Sequence, residues 1–314
     1  MGLRHAYQAT GANDPGKEVS RDRWNADHEI TDFLEFPEIA APAAPAADVV
    51  RLFGKHMAGH ALPAFRSETG RALALQPSFS DCRVRMWSAA GNGLTDSNYG
   101  GVASSTGTAT AANWASTNFR TRMRWREWLV TTAATSAVAG FRGGAAQFTI
   151  GGGAAGQGGF SLSMTVMPAT GISNGSHRLF AGMRNSTAAP TDVNPSTLTN
   201  ICGLGYDAGD TNLQFMHNDG SGTATKIDLG SSFPKPSSDR SKAYQLLLYA
   251  PPGTTQSLSY LVIDLETGAE ASGTVTTDLP STTTALNDYA YISVGGVSSV
   301  VGLAIGFSVV ETDN

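Results

Sequence analysis

The second half of the chain alternates short β-prone segments with turn sequences, and this spacing constrains the fold more than any other feature. Gly151–Gly153, Asn174-Gly175 and Pro251–Gly253 are typical turn signals between such segments. No convincing helical pattern interrupts them, so we predict an antiparallel β-sandwich over residues 145–314. The expected strands are Ala146–Ile150, Phe160–Met167, His177–Arg184, Leu198–Tyr206, Asn212–Met216, Ala224–Leu229, Ala243–Tyr249, Ser257–Asp264, Ala271–Thr276 and Leu303–Val310.

The composition points to self-association. Only 15% of the 314 residues are charged, and 36 are glycine. A chain with so few charges has little to solvate its surface, which favours burying part of each copy against identical copies in an oligomer. A soluble monomer with a Ser/Thr surface is the alternative. The formal net charge of -5 argues against a nucleic-acid binder, which is normally basic.

The cysteines and apolar segments exclude several classes of protein. Cys82 and Cys202 lie far apart and form no CxxC pair, so neither a disulfide framework nor a zinc site is expected. The N-terminus has no apolar core of signal-peptide length, and no apolar run reaches 18 residues. We therefore expect synthesis and assembly in a cytoplasm, without membrane insertion.

The first half divides into three regions by composition. Residues 1–36 are polar and read as an extended stem, and residues 37–75 combine a Pro/Ala spacer with a β-hairpin. Such a hairpin is marginal alone and needs packing partners. Residues 76–144 form either a linking collar or part of the sandwich. The predicted architecture is thus all-β, with an N-terminal stem and hairpin ahead of the sandwich.

A short stretch near the N-terminus, KEVSRDRWNADHEI, is the candidate attachment site. Ser20 or Asp22 could cap a short helical turn there. Trp24, Asn25 and His28 then have two interpretations. Tryptophan is a favoured interface anchor, so they could dock into a larger partner. Equally, they could pack within the stem of the chain's own trimer.

Arginines occupy alternate positions in the segment FRTRMRWREW, residues 119–128. A period of two predicts a strand with one apolar face and one arginine face. The candidate binding residues of this ribbon are Arg120, Arg122, Arg124, Arg126 and Trp128. They could bind phosphate or an acidic sugar, with Trp125 or Trp128 stacking on the ligand. The acidic balance of the chain instead favours pairing with carboxylates of a neighbouring subunit or domain.

Oxygen-bearing side chains cluster beside the predicted hairpin Leu213–Leu229. Asp207, Asp210, Asn218 and Asp219 could bind sugar hydroxyls or a hard cation such as calcium. The same residue types are also what tight turns require, and no EF-hand spacing is present. The turn interpretation is favoured, and no metal is expected.

The remaining candidates for metal binding or catalysis are weak. His56 and His60 have helical spacing, but Gly59 and strand-like surroundings spoil that geometry. Asp264 and Glu266 lie two residues apart, at the end of a predicted strand. They would serve glycoside hydrolysis only with their carboxyl groups about 5 Å apart across a cleft. We find no nucleophile elbow, nucleotide loop or metal cluster, so the sequence predicts neither an enzyme nor a cofactor.

Two adjoining stretches resemble bacteriophage tail-fibre and related virion-fibre proteins. Val19–His28 is similar to the D-x-W-N-A-x-H segment near the start of many such proteins. Pro37–Ala47, followed by Val50–Phe53, resembles the family's P-x-x-P-A-A-G-x-V-R-L-Y sequence, from which Asp48 and Phe53 depart. The C-terminal half, including His177–Met183, looks like a concanavalin-like or jelly-roll sandwich at a fibre tip.

This resemblance implies a homotrimer on the virion. Its N-terminal segment would attach to other virion proteins, and its sandwich would touch a bacterial surface glycan. A purely structural head decoration or fibre protein is one alternative, and a polysaccharide depolymerase acting through the sandwich is the other. The sequence does not separate a head location from a tail location.

Overall fold

A computed structural model describes most of the chain after residue 36. The described residues are 36, 38–57, 60–67, 72–74, 83–89, 96–100, 103–112 and 125–312. The chain divides into two compact units, one of residues 1–55 and 63–73 and the other of residues 56–62 and 74–314. The predicted attachment segment, apart from Phe36, lies outside the described residues.

A three-stranded sheet follows the Pro/Ala spacer. Its strands are β1 (Arg51–Met57), β2 (His60–Arg66) and β3 (Ala72–Ala74), in the order β1-β2-β3. The first two strands correspond to the hairpin that the sequence predicts.

Sixteen further strands form two large sheets. Those before residue 145 are β4 (Arg83–Ala89), β5 (Asp96–Tyr99), β6 (Ala103–Thr106), β7 (Thr108–Ala112), β8 (Trp125–Ala134) and β9 (Val138–Gly143). The next are β10 (Phe160–Thr170), β11 (Arg178–Arg184), β12 (Ile201–Tyr206), β13 (Gln214–Asn218) and β14 (Thr225–Asp228). The last are β15 (Tyr244–Ala250), β16 (Leu258–Asp264), β17 (Glu270–Val275), β18 (Asn287–Ser293) and β19 (Ser299–Thr312).

The two sheets are antiparallel at every pairing described. The nine-stranded sheet runs β17-β16-β15-β10-β19-β4-β5, with β8 pairing both β19 and β7. The seven-stranded sheet runs β14-β13-β12-β11-β18-β9-β6. Long β19 is central because β10 pairs along one side of it, while β8 and then β4 pair along the other. The described strands of residues 76–144 therefore belong to the two large sheets.

The core lies between these sheets, which form a sandwich. Strand β10 turns Phe160, Leu162, Met164 and Val166 into it at alternate positions, as a period of two requires. An aromatic cluster of Trp87, Trp128 and Phe141 joins the sheets, with ring centroids 5.1 to 5.3 Å apart. Phe215 and Tyr260 stack across the core with their centroids 3.9 Å apart. The all-β sandwich predicted from the sequence is confirmed.

A buried ion pair also links the two sheets. Arg85 on β4 reaches Asp288 on β18, and both side chains are almost fully buried. The Ser308 hydroxyl donates to the second oxygen of Asp288 at 2.8 Å. Burial lowers the pKa of Arg85 to about 10, so its guanidinium is still charged at neutral pH. Gly143 is required here, because a Cβ at this position would overlap the arginine head group.

Residues 185–200, which we call the strap, cover the outer face of the seven-stranded sheet. The Tyr289 hydroxyl donates to Ala188 O at 3.1 Å, and the Tyr291 hydroxyl donates to Val193 O at 2.9 Å. Leu198 packs in the same apolar cluster as these tyrosines. The strap is thus fixed along its length, and its end positions Asn200 beside the β12–β13 hairpin.

From residue 135 onwards, the strand predictions fail at three places. Residues 146–150 form no strand and make only one bridge, between Phe148 and Leu286. Strands β9 and β18 were not predicted. All seven residues of β18 are buried, including the polar Asn287 and Asp288. The strand therefore lacks the alternation of apolar and polar residues that would have identified it.

Candidate functional site

The β12–β13 hairpin separates the four predicted oxygen-bearing residues into two groups. Gly205 pairs with Gln214 at one end and Ile201 pairs with Asn218 at the other. Asp207 and Asp210 follow β12 at the first end, whereas Asn218 and Asp219 close β13 at the second. Four residues of extended chain separate the ends, roughly 13 Å. The four residues therefore do not form one site.

The carboxylates at the first end are neutralised within the chain. Lys226 Nζ lies 3.1 Å from Asp207 Oδ2 and 2.5 Å from Asp210 Oδ1. The remaining oxygens accept backbone hydrogens, because Ser196 N donates to Asp207 and Asp207 N donates to Asp210. A second ammonium fills the space alongside. Lys235 Nζ donates to the carbonyl oxygens of Gly175, Asp207 and Ala208 at 3.0, 3.4 and 2.7 Å.

The ammonium groups of Lys226 and Lys235 therefore take the place that a bound metal ion would have at this end. Burial alone would lower the pKa of Lys226, but the hydrogen bonds that it donates to Asp210 and Asp207 raise that pKa above its ordinary value. Burial lowers the pKa of Lys235 to about 8. With both carboxylates engaged, this end is a structural cluster, as the turn interpretation predicts.

His177 lies beneath this cluster and makes the fold sensitive to acid. Its Nε2 must donate to Pro236 O at 3.1 Å, so its Nδ1 accepts from the Tyr206 hydroxyl at 2.9 Å. The neutral ring satisfies both contacts. Burial and, to a smaller extent, the charge of Lys235 lower the pKa of His177 to about 4, against the opposing effect of Asp239.

We expect stability to fall as pH drops from about 6.5 towards 4, because over that window only the unfolded chain takes up the proton on His177. The loss should reach about 2–3 kcal/mol at pH 4.5. Urea unfolding at pH 7 and pH 4.5 measures it. His177→Gln keeps a donor and an acceptor but does not titrate, so it should lose clearly less stability over the same interval. Equal losses in both proteins would contradict the assignment.

The second end of the hairpin has open hydrogen-bonding groups. Asp219 Oδ1 accepts from Ser221 N at 2.7 Å and from Ser221 Oγ at 2.9 Å, and no described group bonds its Oδ2. Asn200 lies beside it, with its backbone N donating to Asp219 O at 2.5 Å. A Cβ on Gly220 would be 3.8 Å from both amide atoms of the Asn200 side chain. Since glycine adds no side chain, the amide and the carboxylate stay accessible around exposed Gly220.

Unusual backbone conformations concentrate at this end. The structure describes four non-glycine residues with positive φ, and two of them are Asn200 (φ 51) and Asp278 (φ 52). Asp278 Oδ1 accepts from Asp219 N at 3.1 Å, and its Oδ2 accepts from Thr225 Oγ1 at 2.6 Å. Left-handed residues that are held by several bonds often mark functional sites. We call Asn200, Asp219, Gly220 and Asp278 the Gly220 site.

Sequence reasoning found only part of this site. It missed Asn200 and Asp278, although Asn and Asp are the residues that most readily adopt a left-handed conformation. It also assigned a glycan-contacting role to Asn218 and Asp207, whose side chains are buried. Asn218 Nδ2 donates to Leu198 O at 2.8 Å, so it fastens the strap and does not face solvent.

The described end of the arginine ribbon is also buried. Arg126 is 7% exposed and Trp128 is 3% exposed, so the predicted binding surface is wrong for both residues. Arg126 pairs with Asp96 at 3.1 Å and lies 5.9 Å from the Trp87 ring centroid. Trp125 packs on the opposite face of β8. The interpretation of the arginines as partners of carboxylates fits Arg126, but the partner is in the same chain.

Several predicted residues fall outside the described part of the chain. They are Trp24, Asn25, His28, Arg120, Arg122, Arg124 and Cys82. Their assigned roles stay predictions.

Asp264 has a structural role. It is fully buried, pairs with Lys242 at 2.7 Å and accepts from Glu266 N at 2.8 Å. The Asp264 carboxylate therefore stabilises the turn that follows β16. Buried Glu127 is likewise bonded, to Thr170 and to Arg240.

The described chain holds no group of three or more His, Cys, Asp or Glu side chains placed to bind a metal ion. His56 is exposed on β1, and Cys202 is a buried free thiol. In the same described part, no helix has the length and apolar character to cross a membrane.

No protein-family model matches this sequence, and a search of curated proteins finds no relative. Solved structures with a similar fold include SO2946 of Shewanella oneidensis MR-1, a protein of unknown function, at 13% identity and a TM-score of 0.48 over 76% of this chain and 90% of that one. Lectin II from Ulex europaeus matches at 11% identity and a TM-score of 0.43, over 67% of this chain and 92% of that one.

A carbohydrate esterase, vb_24B_21, from the Shiga toxin-encoding bacteriophage phi24B matches at 13% identity and a TM-score of 0.39, over 68% of this chain and 90% of that one. All three TM-scores are below 0.5, so no property of these proteins is transferred to this chain. The sandwich assignment rests on the sheets and the core described above.

Proposed function

We propose that this chain is a non-enzymatic bacteriophage virion fibre or spike protein that adheres to a bacterial surface glycan through its sandwich. The observation that carries adhesion is the Gly220 site. It sets an open carboxylate oxygen and an open amide around a glycine, on an exposed loop that its own hydrogen bonds hold in place. A carboxylate accepts and an amide both donates and accepts, which matches the paired donor and acceptor character of sugar hydroxyls.

Attachment to the virion is supported by the resemblance of Val19–His28 and of the spacer that follows to virion-fibre proteins. In this proposal the N-terminal segment binds other virion proteins, and the chain forms a homotrimer. Single sites built from one carboxylate and one amide bind weakly. Several copies on one particle would multiply the binding without any new contact.

Substitution of Asp219 tests glycan adhesion. We expect Asp219→Asn in the full chain to weaken binding to host cells and their isolated polysaccharide roughly 10- to 100-fold, because a charge-assisted hydrogen bond is lost. Asp228→Asn is the matched control. Asp228 is exposed, and like Asp219 it accepts a backbone hydrogen from two residues ahead, here from Gly230 N at 2.7 Å.

Other outcomes of that experiment would favour the alternatives. Equal binding by wild type and Asp219→Asn would contradict the Gly220 site. No binding by the wild type to any candidate host would favour a purely structural head decoration. Release of reducing sugar from the polysaccharide would favour a depolymerase.

A further inference from the structure

Two arginines on the seven-stranded sheet pair with no carboxylate of the described chain. They are Arg142 on β9 and Arg184 on β11, and both side chains are partly exposed. The other arginine side chains described in the sandwich each form an ion pair with an aspartate or glutamate: Arg85, Arg126, Arg178 and Arg240. The chain has 26 acidic residues against 21 lysines and arginines, so acidic partners are not scarce. Two arginines left without one are therefore candidates for binding an external anion.

Both arginines lie beside Tyr289 on the outer face of the sheet. Tyr289 is the cross-strand neighbour of Arg142, and the Arg184 Cζ atom lies 4.9 Å from the centre of its ring. Burial raises the pKa of Tyr289, and the positive charges of Arg184 and Arg142 oppose that shift, as expected when both guanidinium groups are near the hydroxyl. The tyrosine is fully buried. It therefore supports the two arginines from below and leaves their outer sides to solvent.

Each guanidinium group is held in place and keeps donors for a ligand. Arg142 donates from Nε to Thr187 O at 2.9 Å and from Nη1 to Thr106 Oγ1 at 3.2 Å, and no described group bonds its Nη2. Arg184 is positioned by its cation–π contact with the Tyr289 ring. A guanidinium group presents its N–H donors in a planar fork that matches the geometry of a carboxylate or a phosphate group.

This arginine pair adjoins the Gly220 site. Arg184 ends β11 in the same row of the sheet as Asn218, which ends β13, with β12 between them. Asp219 follows Asn218 directly. The backbone N of Asn185 donates to Asn200 O at 3.0 Å, so the residues that follow the two strand ends are also bonded to each other. Two strand spacings, roughly 10 Å, thus separate Arg184 from the Gly220 site.

We propose that the bound glycan is acidic, and that Arg184 and Arg142 receive its carboxylate or phosphate group while its hydroxyls contact the Gly220 site. The inference rests on the proposed glycan adhesion and specifies the class of saccharide. The charges also set the orientation of the ligand. Asp219 repels an anionic group and the two arginines attract one, and their separation exceeds the screening length of about 8 Å at physiological ionic strength.

The test measures the affinity of the full chain for matched pairs of oligosaccharides. One pair is a uronic-acid oligosaccharide and the same molecule after reduction of its carboxyl groups to alcohols. The other is a phosphorylated oligosaccharide before and after phosphatase treatment. We expect the wild type to bind the acidic member of one pair roughly 10- to 100-fold more tightly, which is the contribution of hydrogen bonds to a charged group. The pair that shows the preference identifies the acidic group.

Substitutions assign that preference to the arginines. Arg184→Gln should abolish the preference and leave the affinity for the neutral member unchanged, whereas Asp219→Asn should weaken binding to both members. Arg51→Gln is the matched control, because it removes the same charge from an exposed arginine of the smaller unit and should change neither affinity. Arg184→Lys covers the case in which Arg184→Gln does not fold. It keeps the charge but loses the planar fork, so it should retain only part of the preference.

The outcomes separate this inference from adhesion itself. Equal binding of the wild type to both members of each pair, or an Arg184→Gln protein that keeps the wild-type preference, would overturn the inference and leave adhesion standing. Failure of the wild type to bind any of the four oligosaccharides or the host polysaccharide would overturn both.

Discussion

Residues 145–314 expressed alone are expected not to fold, whereas residues 83–314 should give a cooperative β-sandwich. The shorter fragment lacks strands β4 to β9. It therefore removes β9 from beside β18 and both β4 and β8 from beside β19, leaving two central strands with open edges. It also removes the Trp87, Trp128 and Phe141 cluster from the core.

The expected loss is as large as the whole stability of an ordinary domain. Truncating one buried Phe or Trp costs about 3–5 kcal/mol, and three are lost here. A typical domain is stable by about 5–15 kcal/mol in total. Circular dichroism and thermal melting of the two fragments measure the effect. A sharp melting transition in residues 145–314, close to that of the longer fragment, would show that the early strands are dispensable.

The second large effect is expected at the ion pair between the sheets. Asp288→Ala should lower the free energy of unfolding by about 3–5 kcal/mol, because it leaves the Arg85 guanidinium charged and buried. Urea unfolding at pH 7 measures it. The Arg85→Met/Asp288→Met double variant should recover much of the loss, since neither charge is then buried alone.

An exposed carboxylate, that of Asp228, provides the control for Asp288→Ala. Asp228→Ala should change the free energy of unfolding by less than about 1 kcal/mol, since Asp228 is exposed. If Asp288→Ala were no more destabilising than Asp228→Ala, the inter-sheet pair would not contribute to stability.

Turn chemistry made the sandwich predictable. Gly/Pro/Asn signals mark the ends of strands such as β10, whose alternating residues are easy to read. Strand β18 was missed because both of its faces are buried and its polar residues pair inside the core. The ion pair of Asp288 joins residues 203 positions apart in the chain. A pairing of that kind leaves no local pattern in the sequence.

The candidate site was predictable only in part, for a related reason. Asp207 and Asp219 look alike in the sequence, each in a turn beside a strand. They differ because Lys226 folds back onto Asp207, while the outer oxygen of Asp219 meets no described cation. Likewise, the sequence predicts Arg126 as a surface residue, whereas in the fold it pairs with Asp96. The sequence shows which residue types could bind a ligand. Contacts formed in the fold decide which of these side chains remain accessible to one.

A crystal structure of the full chain with bound saccharide tests the central claim most directly. The saccharide would be the host polysaccharide fragment that the wild type binds best. The account predicts a sugar ring over Gly220, with hydroxyls within hydrogen-bond distance of Asp219 Oδ2 and the Asn200 side-chain amide. A saccharide bound elsewhere on the sandwich, with the Gly220 site empty, would contradict it.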